Sequence, residues 1–159
     1  MPPNPKRWKS IFDRIRNTPA IEDVVVSGGD TFYLSAENLR HIAAHLLAIP
    51  HIRRFRFATK GLAVCPSRFI DPQDEWTKAV VDIAKVARAH GVDFAIHTHF
   101  NHPNEVSWIT RKAARALFQH GVTVRNQTVL LKGVNDNLNT MSSLVRTLAN
   151  DLNIEPVSY

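Results

Sequence analysis

Apolar positions along the chain switch between helical and extended spacing. Trp8, Ile11, Phe12 and Ile15 recur at i, i+3, i+4 and i+7, which predicts one buried helical face. Asn17-Thr18-Pro19 stops that helix, because proline cannot continue the hydrogen-bond ladder. Val24-Val25-Val26 is short, β-branched and continuous, which predicts a strand buried on both faces. Ser35 is a good N-cap for a second helix with Leu39, Ile42, Ala43, Leu46 and Leu47 inward. Residues 53–59 alternate, with Phe55 and Phe57 on one side, and predict a strand followed by an irregular loop over 60–70. A third helix spans about 74–90 with Val80, Ile83, Ala84 and Ala87 inward, and Gly91 suits its C-terminal stop. Residues 92–99 read as a strand, about 107–120 as a helix ended by Gly121, and 122–130 as another strand. Leu144, Val145 and Leu148 mark a fifth helix, and 153–159 a last strand.

The order is a regular alternation of helix and strand, with strands recurring at the length of a βα unit, and it predicts an α/β fold with a parallel sheet covered by helices. A barrel and an open doubly wound sheet both fit. Sites in such folds form at the carboxyl ends of strands. Polar residues stand at each of those ends: Ser27 to Asp30, Thr59-Lys60, His97 to His102, Asn126-Gln127 and Ser158-Tyr159.

Composition narrows the classes. With 159 residues, 44% hydrophobic and 21% charged, the chain suits one globular domain and argues against a disordered one. No apolar run reaches the roughly 20 residues of a membrane helix. A net charge of +6 raises nucleic acid as a partner, but no nucleic-acid motif accompanies it, so none is expected. Residues 6–16 are basic and amphipathic, like a mitochondrial transit peptide; Asp13 and the core-facing apolar stripe favour an ordinary helix and a cytoplasmic location. The single Cys65 allows no internal disulfide and cannot alone anchor an iron–sulfur cluster.

Three segments carry candidate chemistry. In Ser27-Gly28-Gly29-Asp30 the glycines admit a ligand close to the backbone, and Asp30 can accept from an ammonium; a tight turn would need glycine anyway. His97 and His99 share one face of a strand and suit either a metal or hydrogen-bonded site histidines. Asn126-Gln127 can bind a ligand without adding charge, or pin a loop. Residues 132–136 read as a structural turn.

Together, Val24 to Asp30, Thr98-His99-Phe100-Asn101-His102-Pro103-Asn104-Glu105, and Asn126-Gln127-Thr128-Val129-Leu130-Leu131-Lys132-Gly133-Val134-Asn135-Asp136 resemble the core of the lysine 2,3-aminomutase family of radical S-adenosylmethionine enzymes. The resemblance implies a partial (β/α) barrel of the radical S-adenosylmethionine type, with about five parallel strands, helices outside and the first strand missing. It implies an isomerase that moves an amino group between adjacent carbons of an amino acid substrate, using a [4Fe–4S] cluster, S-adenosylmethionine, a 5′-deoxyadenosyl radical and pyridoxal phosphate. By match, Ser27, Gly28, Gly29 and Asp30 would hold the methionyl end of S-adenosylmethionine, with His99, Gln127 and Asn126 as further contacts. His97 stands where common relatives carry another residue. The family's three-cysteine loop belongs upstream of the first helix, and its pyridoxal lysine and substrate aspartates downstream of Tyr159. Residues 1–159 are therefore expected to be one truncated core domain, inactive alone, with Val24 to Val26 an exposed sheet edge prone to self-association. Two alternatives remain: a metal-dependent barrel hydrolase using His97 and His99, and a noncatalytic S-adenosylmethionine-binding module.

Overall fold

The computed structural model describes residues 5–157, so Ser158-Tyr159, expected at the last strand end, lie outside the described residues. The strands are β1 (Asp23–Val26), β2 (Arg54–Ala58), β3 (Asp93–Thr98), β4 (Thr123–Gln127) and β5 (Glu155–Val157). The helices are α1 (Pro5–Arg16), α2 (Ala36–Leu47), the one-turn α3 (Gly61–Val64), α4 (Glu75–Ala89), α5 (Trp108–Gln119) and α6 (Leu138–Arg146). A π-helical turn, Thr147–Asp151, prolongs α6. The stretch expected to be an irregular loop instead holds α3 and a 3-10 turn, Pro66–Ile70.

The helix limits follow their caps. Ser35, Asp74 and Ser107 each accept a backbone amide from the first turn of α2, α4 and α5. For Asp74, partial burial works against ionisation, but hydrogen bonds from Arg68 and Thr77 outweigh it and hold the carboxyl below its ordinary range.

All strand pairs are parallel and the order is β1-β2-β3-β4-β5. A doubly wound sheet reverses direction at a switch point; this one does not. Right-handed crossovers taken always in one direction put the connecting helices on one face. Register identifies that face: Val24, Phe55, Phe94 align across β1 to β3, and Val26, Phe57, Ile96, Val124 across β1 to β4. These side chains join Leu39, Leu46, Trp76, Val80, Ile83, Leu117 and Leu144 in one core.

Two further sequence expectations are corrected. Ile11 is 44% exposed although Phe12 and Ile15 are buried, because the stripe of α1 that meets α2 is narrower than four residues. The Val24 to Val26 run is not buried on both faces: β1 pairs only with β2 among the described residues, and Val25 points to the other face, 46% exposed. The free side of β1 leaves unpaired backbone donors and acceptors. The chain is therefore expected to self-associate, and Val25→Lys to shift it toward monomer, as sedimentation velocity would read; a wild-type monomer at high concentration would contradict this.

Candidate functional site

Alternation along the strands dictates a second, polar sheet face. Asp23, Arg54 and Asp93 form one level across β1 to β3; Ala58, His97, Arg125 and Glu155 form another across β2 to β5. The charges pair within this layer. Arg56 donates to Asp23 at 2.8 Å, and Arg125 donates to Asp93 at 2.9 Å and to Glu155 at 2.8 Å. Burial works against the charge on Arg125, but the two carboxylates outweigh it and hold its pKa above the ordinary value. Composition and periodicity missed this layer, since Asp93, Arg125 and Glu155 meet only once the register is known.

His97 sits in that layer, 3% exposed. Burial, then the neighbouring Arg56, His99 and Arg125, disfavour its imidazolium, and its pKa falls to about 4. The folded value lies below the ordinary 6.5, so the unfolded chain binds more protons between the two. The stabilisation is complete above pH 6.5 and is lost as pH falls toward 4. This acid slope is expected to amount to about 2–3 kcal/mol and to be absent in His97→Phe, as urea titrations across that window would measure.

The predicted site residues lie at the carboxyl edge of the sheet. Ser27, Gly28 and Gly29 follow β1 and are exposed. Gly28 and Gly29 have φ of 100° and 128°, and a Cβ at either would meet nothing within 4 Å. Backbone conformation, not crowding, therefore demands glycine, and the loop is open to a ligand. Asp30 is turned into the fold: its oxygens accept from the amides of Phe32 and Lys60, both at 2.8 Å. His99 Nδ1 donates to the Gln127 carbonyl at 3.3 Å. Gln127 and, by continued alternation, Ser27 and His99 belong to the polar face.

Asn126 differs. It aligns with Thr98 on the helix-covered face, is 1% exposed, and is bound at both ends of its amide to Phe100, accepting from its N–H at 2.6 Å and donating to its carbonyl at 3.0 Å. Of the two readings, loop pinning accounts for this geometry. Asn135 does the same for the 129–136 turn, donating to the Asn101 carbonyl at 2.7 Å and the Val129 carbonyl at 2.8 Å.

From sequence, Lys60 stands out only as a strand-end polar residue and Glu105 only within the matched 98–105 segment; the structure brings the two together. Lys60 Nζ donates to Glu105 at 2.7 Å and to the His99 carbonyl at 2.9 Å, and Glu105 accepts from the amides of Asn101 and His102. Partial burial works against ionising Glu105; Lys60 and the two amides more than offset it and lower its pKa. The available signal was spacing: Glu105 stands three residues after His102, as in a capping box.

Comparison with known proteins gives the lineage. The L-lysine 2,3-aminomutase of Clostridium subterminale is 39% identical over 143 residues, 90% of this chain and 32% of the relative. That of Escherichia coli is 33% identical over 145 residues, 91% of this chain and 40% of the relative. The chain belongs to the lysine 2,3-aminomutase family. A putative L-lysine 2,3-aminomutase of Aquifex aeolicus is 37% identical over 139 residues, 87% of this chain and 35% of the relative. The chain thus spans roughly a third of the length of the curated relatives it matches. No family model matches it.

The donor sets for the cofactors expected of this aminomutase family differ in fit. The open glycine loop, His99 and Gln127 fit a nucleoside-bearing ligand. An iron–sulfur cluster does not fit: the one cysteine, Cys65, is exposed between α3 and the turn that follows it. For pyridoxal phosphate, Lys60, the lysine that follows β2, is already engaged by Glu105 and the His99 carbonyl and offers no free amine. The metal-hydrolase alternative lacks a third ligand, as no group of three or more His, Cys, Asp or Glu suited to a metal occurs among the described residues. No helix among the described residues is long and apolar enough to cross a membrane.

Proposed function

We infer that this chain is the S-adenosylmethionine-facing part of a radical aminomutase core, a partial (β/α) barrel whose parent reaction moves an amino group between adjacent carbons of an amino acid. One observation carries the reading. Ser27-Gly28-Gly29, His99 and Gln127 stand at the carboxyl ends of three strands of a sheet that winds in one direction, beside a backbone loop that nothing fills. Sequence kinship with the L-lysine 2,3-aminomutases supports it independently.

S-adenosylmethionine, when bound, supplies the family's hydrogen-abstracting radical chemistry. This chain's residues supply the cradle. The exposed Ser27 hydroxyl and the N–H groups of the glycine loop can bind the polar methionyl end, while His99 and Gln127 offer an acceptor and an amide to the nucleoside. Asp30 and the Lys60–Glu105 pair hold the loops that carry these groups. No turnover is expected from residues 1–159 alone, because their single cysteine cannot anchor the iron–sulfur cluster that the family's chemistry requires.

Titrating the chain with millimolar S-adenosylmethionine should shift NMR amide signals of 27–30, 98–101 and 126–128. Gly28→Val, which forces an L side chain to a φ near +100°, should weaken those shifts about tenfold. Shifts confined to other surfaces, or none, would overturn the reading.

A further inference from the structure

His97 is the buried group of the polar face that the proposed function does not use. It lies between Ala58 and Arg125 in the sheet register. The charged and titratable groups around it are Arg56 from β2, Arg125 from β4, Asp23 from β1 and His99 from its own segment. Two guanidinium groups and burial keep its ring uncharged, yet a neutral ring in this ion-paired layer contributes nothing to the charge balance. Its geometry points elsewhere. The His97 and His99 rings are nearly parallel, 14° apart in plane with centroids 5.9 Å apart.

His99 is the strand-end histidine, and two further contacts hold it. Lys60 donates to its carbonyl at 2.9 Å, and its Nδ1 meets the Gln127 carbonyl at 3.3 Å. A carbonyl oxygen only accepts, so Nδ1 must carry the proton. In the neutral ring, Nε2 is then a lone-pair acceptor. A ring held at one edge can still swing about that edge; a flat neighbour against its face stops the swing.

We propose that His97 is a positioning residue whose ring braces His99 in the Nδ1–H tautomer, so that Nε2 presents an acceptor to a hydrogen-bond donor such as a nucleoside hydroxyl or exocyclic amine. This rests on the reading that the strand-end edge binds S-adenosylmethionine. It also specifies the ligand group at this point: a donor is accepted, while a carboxylate or phosphate oxygen would face a lone pair and be rejected.

The test is 15N NMR of histidine-labelled chain, residues 1–159, first free and then titrated with S-adenosylmethionine. In the wild type, His99 should show the Nδ1–H tautomer alone. His97→Ala should give averaged tautomers at His99 and an affinity lower by about tenfold. His97→Phe keeps a flat ring and should restore both. His97→Leu fills the space without a flat ring and replaces the alanine variant where that one does not fold. A His99 tautomer unchanged in the folded alanine or leucine variant overturns the proposal, as does a folded phenylalanine variant that fails to restore it. The ligand-free spectra judge His97 by themselves. Absence of S-adenosylmethionine binding by the wild type would instead overturn the reading of the edge.

Discussion

Trp76→Ala is expected to destabilise the chain by about 3–5 kcal/mol, the range for truncating a large buried aromatic residue. Trp76 is 1% exposed at the start of α4. It packs edge-on against Phe32 at 5.2 Å and Phe69 at 5.5 Å between centroids, and its Nε1 donates to the Thr31 carbonyl at 3.1 Å. Arg68 caps the cluster with its guanidinium 4.5 Å from the Phe32 ring centre, and is itself fixed by Asp74 at 2.6 Å. Thr31 and Phe32 belong to the segment that follows the glycine loop, and Thr31 Oγ1 donates to the Ala58 carbonyl of β2 at 2.9 Å. The tryptophan is thus the inner mooring of the loop after β1. Urea midpoints should drop sharply for Trp76→Ala. For Trp76→Phe, which keeps most of the packing and loses the indole donor, they should drop by about 1 kcal/mol or somewhat more. Hydrogen exchange at residues 27–34 should quicken in the alanine variant beyond that of the rest of the molecule. Equal midpoints for the two variants would show that the indole donor, and not the packing, holds this cluster.

Which parts of this were legible in the sequence follows from the range of the interactions. Helix limits depend on neighbours a few residues apart, so Ser35, Asp74 and Ser107 at the starts and Gly91 and Gly121 at the ends could be read directly. Strand sequence and parallel pairing followed from βα repetition. The sequential order β1 to β5 was not decidable, because a barrel-like and a doubly wound sheet share the same pattern of elements. The edge position of β1 was not legible from its own residues, since three valines look alike in a central and a terminal strand; the family resemblance supplied it, and the exposure of Val25 follows from it. The polar face needed register. Arg54 and Arg56 alternate visibly with Phe55 and Phe57, but nothing local says that Arg125 will reach Asp93 and Glu155. At the strand end, Asn126 and Gln127 are adjacent amides of like chemistry. Their parity was available, since Val124 is an inward apolar residue and Asn126, two positions on, shares its face.

That parity gives Asn126 a different expected phenotype from the residues beside it. Asn126→Ala should cost about 3–4 kcal/mol. It removes hydrogen bonds to the Phe100 N–H and carbonyl and to Thr128 Oγ1, and it strands a buried backbone amide. Phe100 is itself fully buried and follows His99 directly. Releasing its backbone frees the segment on which His99 and Asn101 are carried, so any ligand affinity at the edge should fall with stability. Asn126→Asp keeps an acceptor for the Phe100 N–H but loses the donor and buries a charge or an added proton, and should be nearly as damaging. Gln127→Ala offers the contrast. Its side chain lies on the polar face while its backbone carbonyl, the partner of His99, survives the substitution; stability should change by less than about 1 kcal/mol while affinity falls. Thermal or urea unfolding paired with S-adenosylmethionine titration separates the two roles. A ligand contact loses affinity at constant stability, and a pin loses both. If Asn126→Ala unfolded like the wild type and only its binding failed, the buried amide would have to turn toward the ligand, and the division of labour between the two faces of β4 would be wrong.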